Sequence, residues 1–120
     1  MRIAVTAQGE GLDAAVDPRF GRARCFVVVD TETGASSTID NADNLDALLG
    51  AGVQAGRRIV ELGVDAVITG HVGPKAFSAL QAGRVAIYTG ASGTVAEAVE
   101  QYKAGKLTRA EAADVEGHWV

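Results

Sequence analysis

Val64-Asp65-Ala66-Val67-Ile68-Thr69, followed at once by Gly70-His71-Val72-Gly73-Pro74-Lys75, is the stretch on which the fold turns. The first half is a short apolar run with the length of a buried strand. The second is a glycine-rich exit, with Pro74 where the first residue of a helix tolerates proline. Phe77 and Leu80 give that helix a short apolar face, Gly83 stops it, and Val85 to Thr89 reads as a further strand. A helical crossover therefore joins two parallel strands, and such crossovers are right-handed.

Working back from Val64, Gly63 closes a helix as a C-cap would. Its apolar positions Leu45, Leu48, Leu49, Gly52, Val53, Gly56, Ile59 and Val60 fall on one face, and Asn41-Ala42-Asp43-Asn44 supplies candidate caps. Gly52 and Gly56 on that face suit close helix packing. The spacing from Gly50 to Gly56 is wrong for a dinucleotide loop, and no clear strand precedes it. Arg57 and Arg58 read as solvated side chains, with a dimerisation face as the alternative. Earlier still, Arg24 to Asp30 is an apolar run, Thr31 to Gly34 a turn, and Ala35 to Ile39 a Ser/Thr-rich edge strand, together a hairpin. Arg2 to Ala7 makes the first strand. Beyond Thr89, Thr94-Val95-Ala96-Glu97 fits a capping box for a helix carrying Val95, Ala98, Val99 and Tyr102. Thr108-Arg109-Ala110-Glu111 repeats the pattern and predicts a last, shorter helix. The tail with His118 and Trp119 shows no regular pattern.

The predicted order is β-β-β-α-β-α-β-α-α. Hairpins place the first three strands side by side, and crossovers add the next two. The expectation is a three-layer α/β domain spanning residues 1–120. Its mixed five-stranded sheet has the order 3-2-1-4-5, with helices on both faces, the arrangement of a ribonuclease-H-like core.

The chain's 120 residues are enough for one core. A formal net charge of −4 argues against binding to nucleic-acid backbone. Cys25 is the single cysteine, which excludes an internal disulfide and a Cys-rich metal site and points to a reducing compartment. Cys25 itself reads as a small core residue. The N-terminus reads as neither a signal peptide nor a membrane span, so the expected location is cytoplasmic and away from membranes.

Against this acidic background, Asp17-Pro18-Arg19-Phe20-Gly21-Arg22-Ala23-Arg24 holds three arginines within six residues. Pro18 fixes one dihedral and Gly21 permits a tight turn. The residues alone leave two readings open, a loop shaped to hold an anion or arginines paired with Glu10, Asp13 and Asp17. Strand order weighs toward the first. Ligands of open α/β sheets collect where the winding reverses, here between the first and fourth strands. Because the second strand runs antiparallel to the first, the arginine arm lies at the same sheet edge as Gly70-His71 and Gly73-Pro74-Lys75. A helix start there adds amide donors and a positive dipole end. His71 is a donor or soft ligand at that crevice, or a helix-entry residue bonded to backbone. Lys75 is a rim charge, or an ordinary surface lysine. A nuclease needs converging carboxylates for two metal ions, and the first strand has none. No phosphate loop ending in Lys-Ser or Lys-Thr is present, so a phosphoryl- or nucleotide-handling enzyme ranks last.

Asp17-x-x-Phe20-Gly21-Arg22-Ala23, Ala55-Gly56, Leu62-Gly63-Val64-Asp65 and Gly70-His71-Val72-Gly73, in this order, resemble the motifs of the dinitrogenase iron–molybdenum cofactor biosynthesis family over roughly residues 1–105. The resemblance implies a non-catalytic carrier of anaerobes. Its cargo is an anionic molybdenum-containing metal–sulfur cluster, a molybdenum–copper sulfide or a related molybdenum–iron–sulfur cofactor, held noncovalently. It also implies partner ATPases of the Mrp/MinD type, and the alternative function is a module that docks on such an ATPase and binds no cluster. Where some relatives have histidine, this chain has Arg22, so charge pairing replaces metal coordination at that position. The expected cargo-binding residues are Arg19, Phe20, Gly21, Arg22, Gly70, His71, Gly73 and Lys75, with no metal ligand and no catalytic residue, in a monomer or weak dimer.

Overall fold

The strands form where β-branched and small apolar residues run together. Val27, Val28 and Val29 with Phe26 are all buried in one of them, as a strand covered on both faces requires. The computed structural model describes residues 1–41 and 51–112. Its elements are β1 (Arg2–Ala7), β2 (Cys25–Asp30), β3 (Ser36–Asp40), α1 (Ala51–Glu61), β4 (Ala66–Ile68), α2 (Pro74–Ala82), β5 (Ala86–Thr89), α3 (Val95–Lys103) and β6 (Thr108–Arg109).

They build one mixed sheet in the order β3-β2-β1-β4-β5-β6. β1 pairs antiparallel with β2, from Arg2 opposite Asp30 to Ala7 opposite Cys25, and parallel with β4, Val5 opposite Ile68. β4 and β5 are parallel, and β3 is an exposed, Ser/Thr-rich edge on β2.

Alternation along β1 divides the core in two. Ala4, Phe26, Val28 and Val67 face α1 and α2, where they meet Ala55, Ile59, Ala76 and Leu80. Ile3, Val5, Val27 and Ile68 face α3, where they meet Val95, Ala98 and Val99. Helices thus cover both faces. Small residues let α1 and α2 approach each other: a β-carbon on Gly56 would lie 2.9 Å from the Ala79 β-carbon.

The predicted strand order holds for its first five members and is corrected at the end. Thr108–Arg109 is a sixth strand, antiparallel to β5, where the repeated Thr-x-x-Glu pattern predicts a helix. The reason is tertiary. β5 offers an open edge, and the Ala110 N–H donates to the Ile87 carbonyl at 2.8 Å. The capping box at Thr94 is real: the Thr94 hydroxyl accepts from the Glu97 N–H, and Glu97 Oε1 accepts from the Thr94 N–H at 3.0 Å. The predicted helical positions Leu45, Leu48 and Leu49 and the tail residues His118 and Trp119 lie outside the described residues. Among the described residues, no helix is long and apolar enough to cross a membrane.

Candidate anion-binding site

β1 and β4 lie side by side, and their connections leave in opposite directions. At their carboxyl ends stand Thr6 and Thr69, both fully buried, with hydroxyl oxygens 2.9 Å apart. Thr6 has one proton to give. The Asp17 carbonyl, which can only accept, takes it at 2.7 Å, so Thr69 donates to Thr6. The Asp17 N–H returns a bond to the Thr6 carbonyl at 2.9 Å. The base of the arginine arm is therefore pinned to β1 on both sides of Asp17.

From there the arm runs alongside the exit of β4. The His71 N–H donates to the Pro18 carbonyl at 2.8 Å, and Arg19 and His71 form a parallel bridge. Gly70 permits this approach, since any β-carbon there would collide with Pro18. The convergence expected from strand directions is thus a direct backbone contact. Arg19 carries a half-exposed side chain whose Nε lies 3.7 Å from Asp17 Oδ1. The same oxygen accepts from the Arg19 N–H at 2.9 Å. Asp17 is buried, and burial pushes its carboxyl above the ordinary range. The N–H, the charge and the side chain of Arg19 pull the other way without overcoming it.

The remaining expected residues separate. Phe20 is completely buried and stacks at a tilt on Phe26, ring centroids 5.9 Å apart. It anchors the arm in the α1/α2 core and has no surface to offer a ligand. Gly21 is buried beside it, and Arg22 is half-buried. Gly73 is the buried N-cap of α2, and its carbonyl accepts from the Phe77 N–H at 2.9 Å. Lys75 is exposed and lines an open groove of about 800 Å³ between α1 and α2, with Val53, Arg57 and Val60. Arg24 also leaves the group: with Cys25, Gln8, Glu10, Thr38 and Asp40 it lines a polar cavity of about 470 Å³. Arg19, Gly70 and His71 are brought together, Phe20, Gly21 and Gly73 form the footing, and Lys75 turns to another surface.

Sequence reasoning missed the Thr6–Thr69 pair and the role of Asn41. Asn41, buried to 1% exposure, gives its side-chain amide to the Ala23 carbonyl at 2.7 Å and its N–H to the Arg24 carbonyl at 2.9 Å, closing the far end of the arm. A threonine at the carboxyl end of each of two neighbouring parallel strands is a signal that could have found the pair. Among the described residues, no three His, Cys, Asp or Glu side chains gather as metal ligands. What the seam presents instead is the half-exposed Arg19 guanidinium.

This architecture has relatives. The chain belongs to the dinitrogenase iron-molybdenum cofactor family, whose sequence model matches residues 1–105. Membership makes it a cofactor-handling protein and not an enzyme. It is 44% identical to the orange protein from Desulfovibrio gigas, known in its apo form, with a TM-score of 0.92 over 95% of this chain and 96% of that one. A putative NifB protein from Thermotoga is 33% identical, with a TM-score of 0.83 over 97% and 98%. An uncharacterized protein from Methanocaldococcus jannaschii is 28% identical over 98 residues, 80% of this chain and 83% of its own length.

Proposed function

We propose that the protein is a cytoplasmic, single-domain carrier that holds an anionic molybdenum-containing metal–sulfur cluster as cargo, without a covalent link. A molybdenum–copper sulfide is the preferred cargo. The observation that carries the reading is the seam between Pro18-Arg19 and Gly70-His71, which sets a half-exposed guanidinium beside a backbone loop. Arginine suits a sulfide cluster because its planar, weakly hydrated fork meets several acceptor atoms at once. Arg19 and Arg22 are the charge clamps, and His71 is a donor. Gly70 and Gly73 shape the backbone cradle, and Phe20 and Gly21 secure the arm. Mrp/MinD-type ATPases are its protein partners. The mixed sheet, with β6 added at one edge, supports a ribonuclease-H-like label for the fold.

The test is anaerobic titration with tetrathiomolybdate and copper, read in the visible spectrum. Wild-type protein develops a band above the buffer control, and Arg19→Ala combined with Arg22→Ala loses it while circular dichroism stays unchanged. Absence of any wild-type band defeats the reading. Metal analysis of protein purified without air then identifies the cargo.

A further inference from the structure

Arg19 meets a carboxylate before it meets any cargo. Asp17 Oδ1 lies 2.9 Å from the Arg19 backbone nitrogen and 3.7 Å from Nε. The two partners differ in freedom. The Asp17 side chain is 6% exposed and that of Arg19 is 50% exposed. The main chain of Asp17 is held by Thr6 at both its N–H and its carbonyl. Pro18 follows, seated against Gly70. An arriving anion therefore finds a carboxylate that stays and a guanidinium that swings.

We propose that Asp17 is the internal counter-ion of the cargo site, from which an anion must win the Arg19 guanidinium. This deepens the carrier reading above and rests on it. Asp17 is a positioning residue, since it touches Arg19 and not the cargo. Its effect on selection follows from charge. A monoanion offers Arg19 no more than Asp17 already does, and it enters beside an existing negative charge. A multiply charged thioanion offers more charge and several acceptor atoms, so it alone competes well. Release follows the same logic in reverse. As the cargo leaves, Arg19 returns to a waiting partner, which suits a carrier that must hand its cargo on.

The test uses tetrathiomolybdate alone, titrated without air into wild type, Asp17→Asn, Arg19→Ala and the double variant. Asparagine keeps the acceptor for the Arg19 N–H and drops the charge. Asp17→Asn is expected to bind about fivefold more tightly and to release more slowly. In the Arg19→Ala background the gain is expected to vanish. Unchanged or weaker binding by a folded Asp17→Asn overturns the assignment. An equal gain in both backgrounds does so too, because Asp17 would then act on the cargo directly. A measurement on cargo-free protein separates this from the carrier reading: the carboxyl titration of Asp17, followed by NMR, moves to higher pH in Arg19→Ala. No movement overturns the counter-ion whether or not cargo binds. Movement in a protein that takes up no thiomolybdate defeats the carrier reading alone.

Discussion

Gly70 lies so close to Pro18 that a β-carbon at position 70 would stand 2.7 Å from the Pro18 Cα and 2.8 Å from its carbonyl oxygen. Close approach, not a left-handed φ, is what demands glycine here. The contact allows the His71 N–H to reach the Pro18 carbonyl, and thereby seats Arg19 next to His71. Neither backbone can yield cheaply, because Pro18 is fixed by its ring and Asp17 before it by Thr6. Gly70→Ala is therefore expected to destabilise the fold by about 1–3 kcal/mol, as overpacking does, and to weaken thiomolybdate uptake by displacing the arm. Urea unfolding with an unchanged midpoint would mean that the arm does not sit on this glycine.

Asn41 makes a comparable demand at the arm's other end. The Ala23 carbonyl can only accept, so the amide nitrogen of Asn41 must face it. Removing the donor leaves a buried acceptor without that partner. Asn41→Ala is expected to cost about 1–3 kcal/mol and to loosen residues 20–24. Hydrogen exchange at the Ala23 and Arg24 amides should accelerate relative to those of β4. Equal protection in both proteins would sink this account.

The strands and the meeting of arm and cradle were legible because they follow from apolar runs, hairpins and crossover direction, all properties of local sequence. What escaped needed the third dimension. Thr108-x-x-Glu111 looks like Thr94-x-x-Glu97, but only Thr94 starts a helix, since the chain at Thr108 meets the open edge of β5. Asn41 reads as a helix cap until its surroundings show it buried under the arm. Thr6 and Thr69 are plain strand-end residues until register sets their hydroxyls side by side. Arg19 with Asp17 realises part of both open readings, for the guanidinium is paired and still half-exposed.

Gly83 illustrates how a correct boundary can have a different cause. It ends α2, yet its φ is −86°, which any residue adopts. Its smallness matters instead: a β-carbon there would lie 2.3 Å from Val60 Cγ2, and a valine in a helix has little rotamer freedom with which to retreat. The left-handed position belongs to Arg84, at φ +61°. Two substitutions should therefore move stability in opposite directions. Gly83→Ala lowers it, by about 1–3 kcal/mol, and Arg84→Gly raises it by up to about 1 kcal/mol as the backbone cost is relieved. Denaturant midpoints decide between this and a left-handed glycine C-cap at 83, for which Arg84→Gly would bring no gain.

Cys25 is the first residue of β2, paired with Ala7 at the end of β1. Its thiol packs with the α3-side core and lines the cavity with Gln8, Glu10, Arg24 and Asp40. Burial pushes the thiol above its ordinary value of 9.0, Asp40 and Glu10 push it further, and Arg24 pulls it back. Because the thiolate is the reactive form, a raised value means less thiolate at neutral pH. Alkylation by iodoacetamide is accordingly expected to be slow at pH 7 and to accelerate as pH rises past 9.0. Arg24→Gln removes the one lowering charge and should slow it further at any given pH. Cys25→Ala, in turn, should take up thiomolybdate as wild type does, since the carrier reading centres on Arg19 and His71. A folded Cys25→Ala that forms no chromophore would move the cargo from the Arg19–His71 seam into the cavity of Glu10, Arg24 and Asp40.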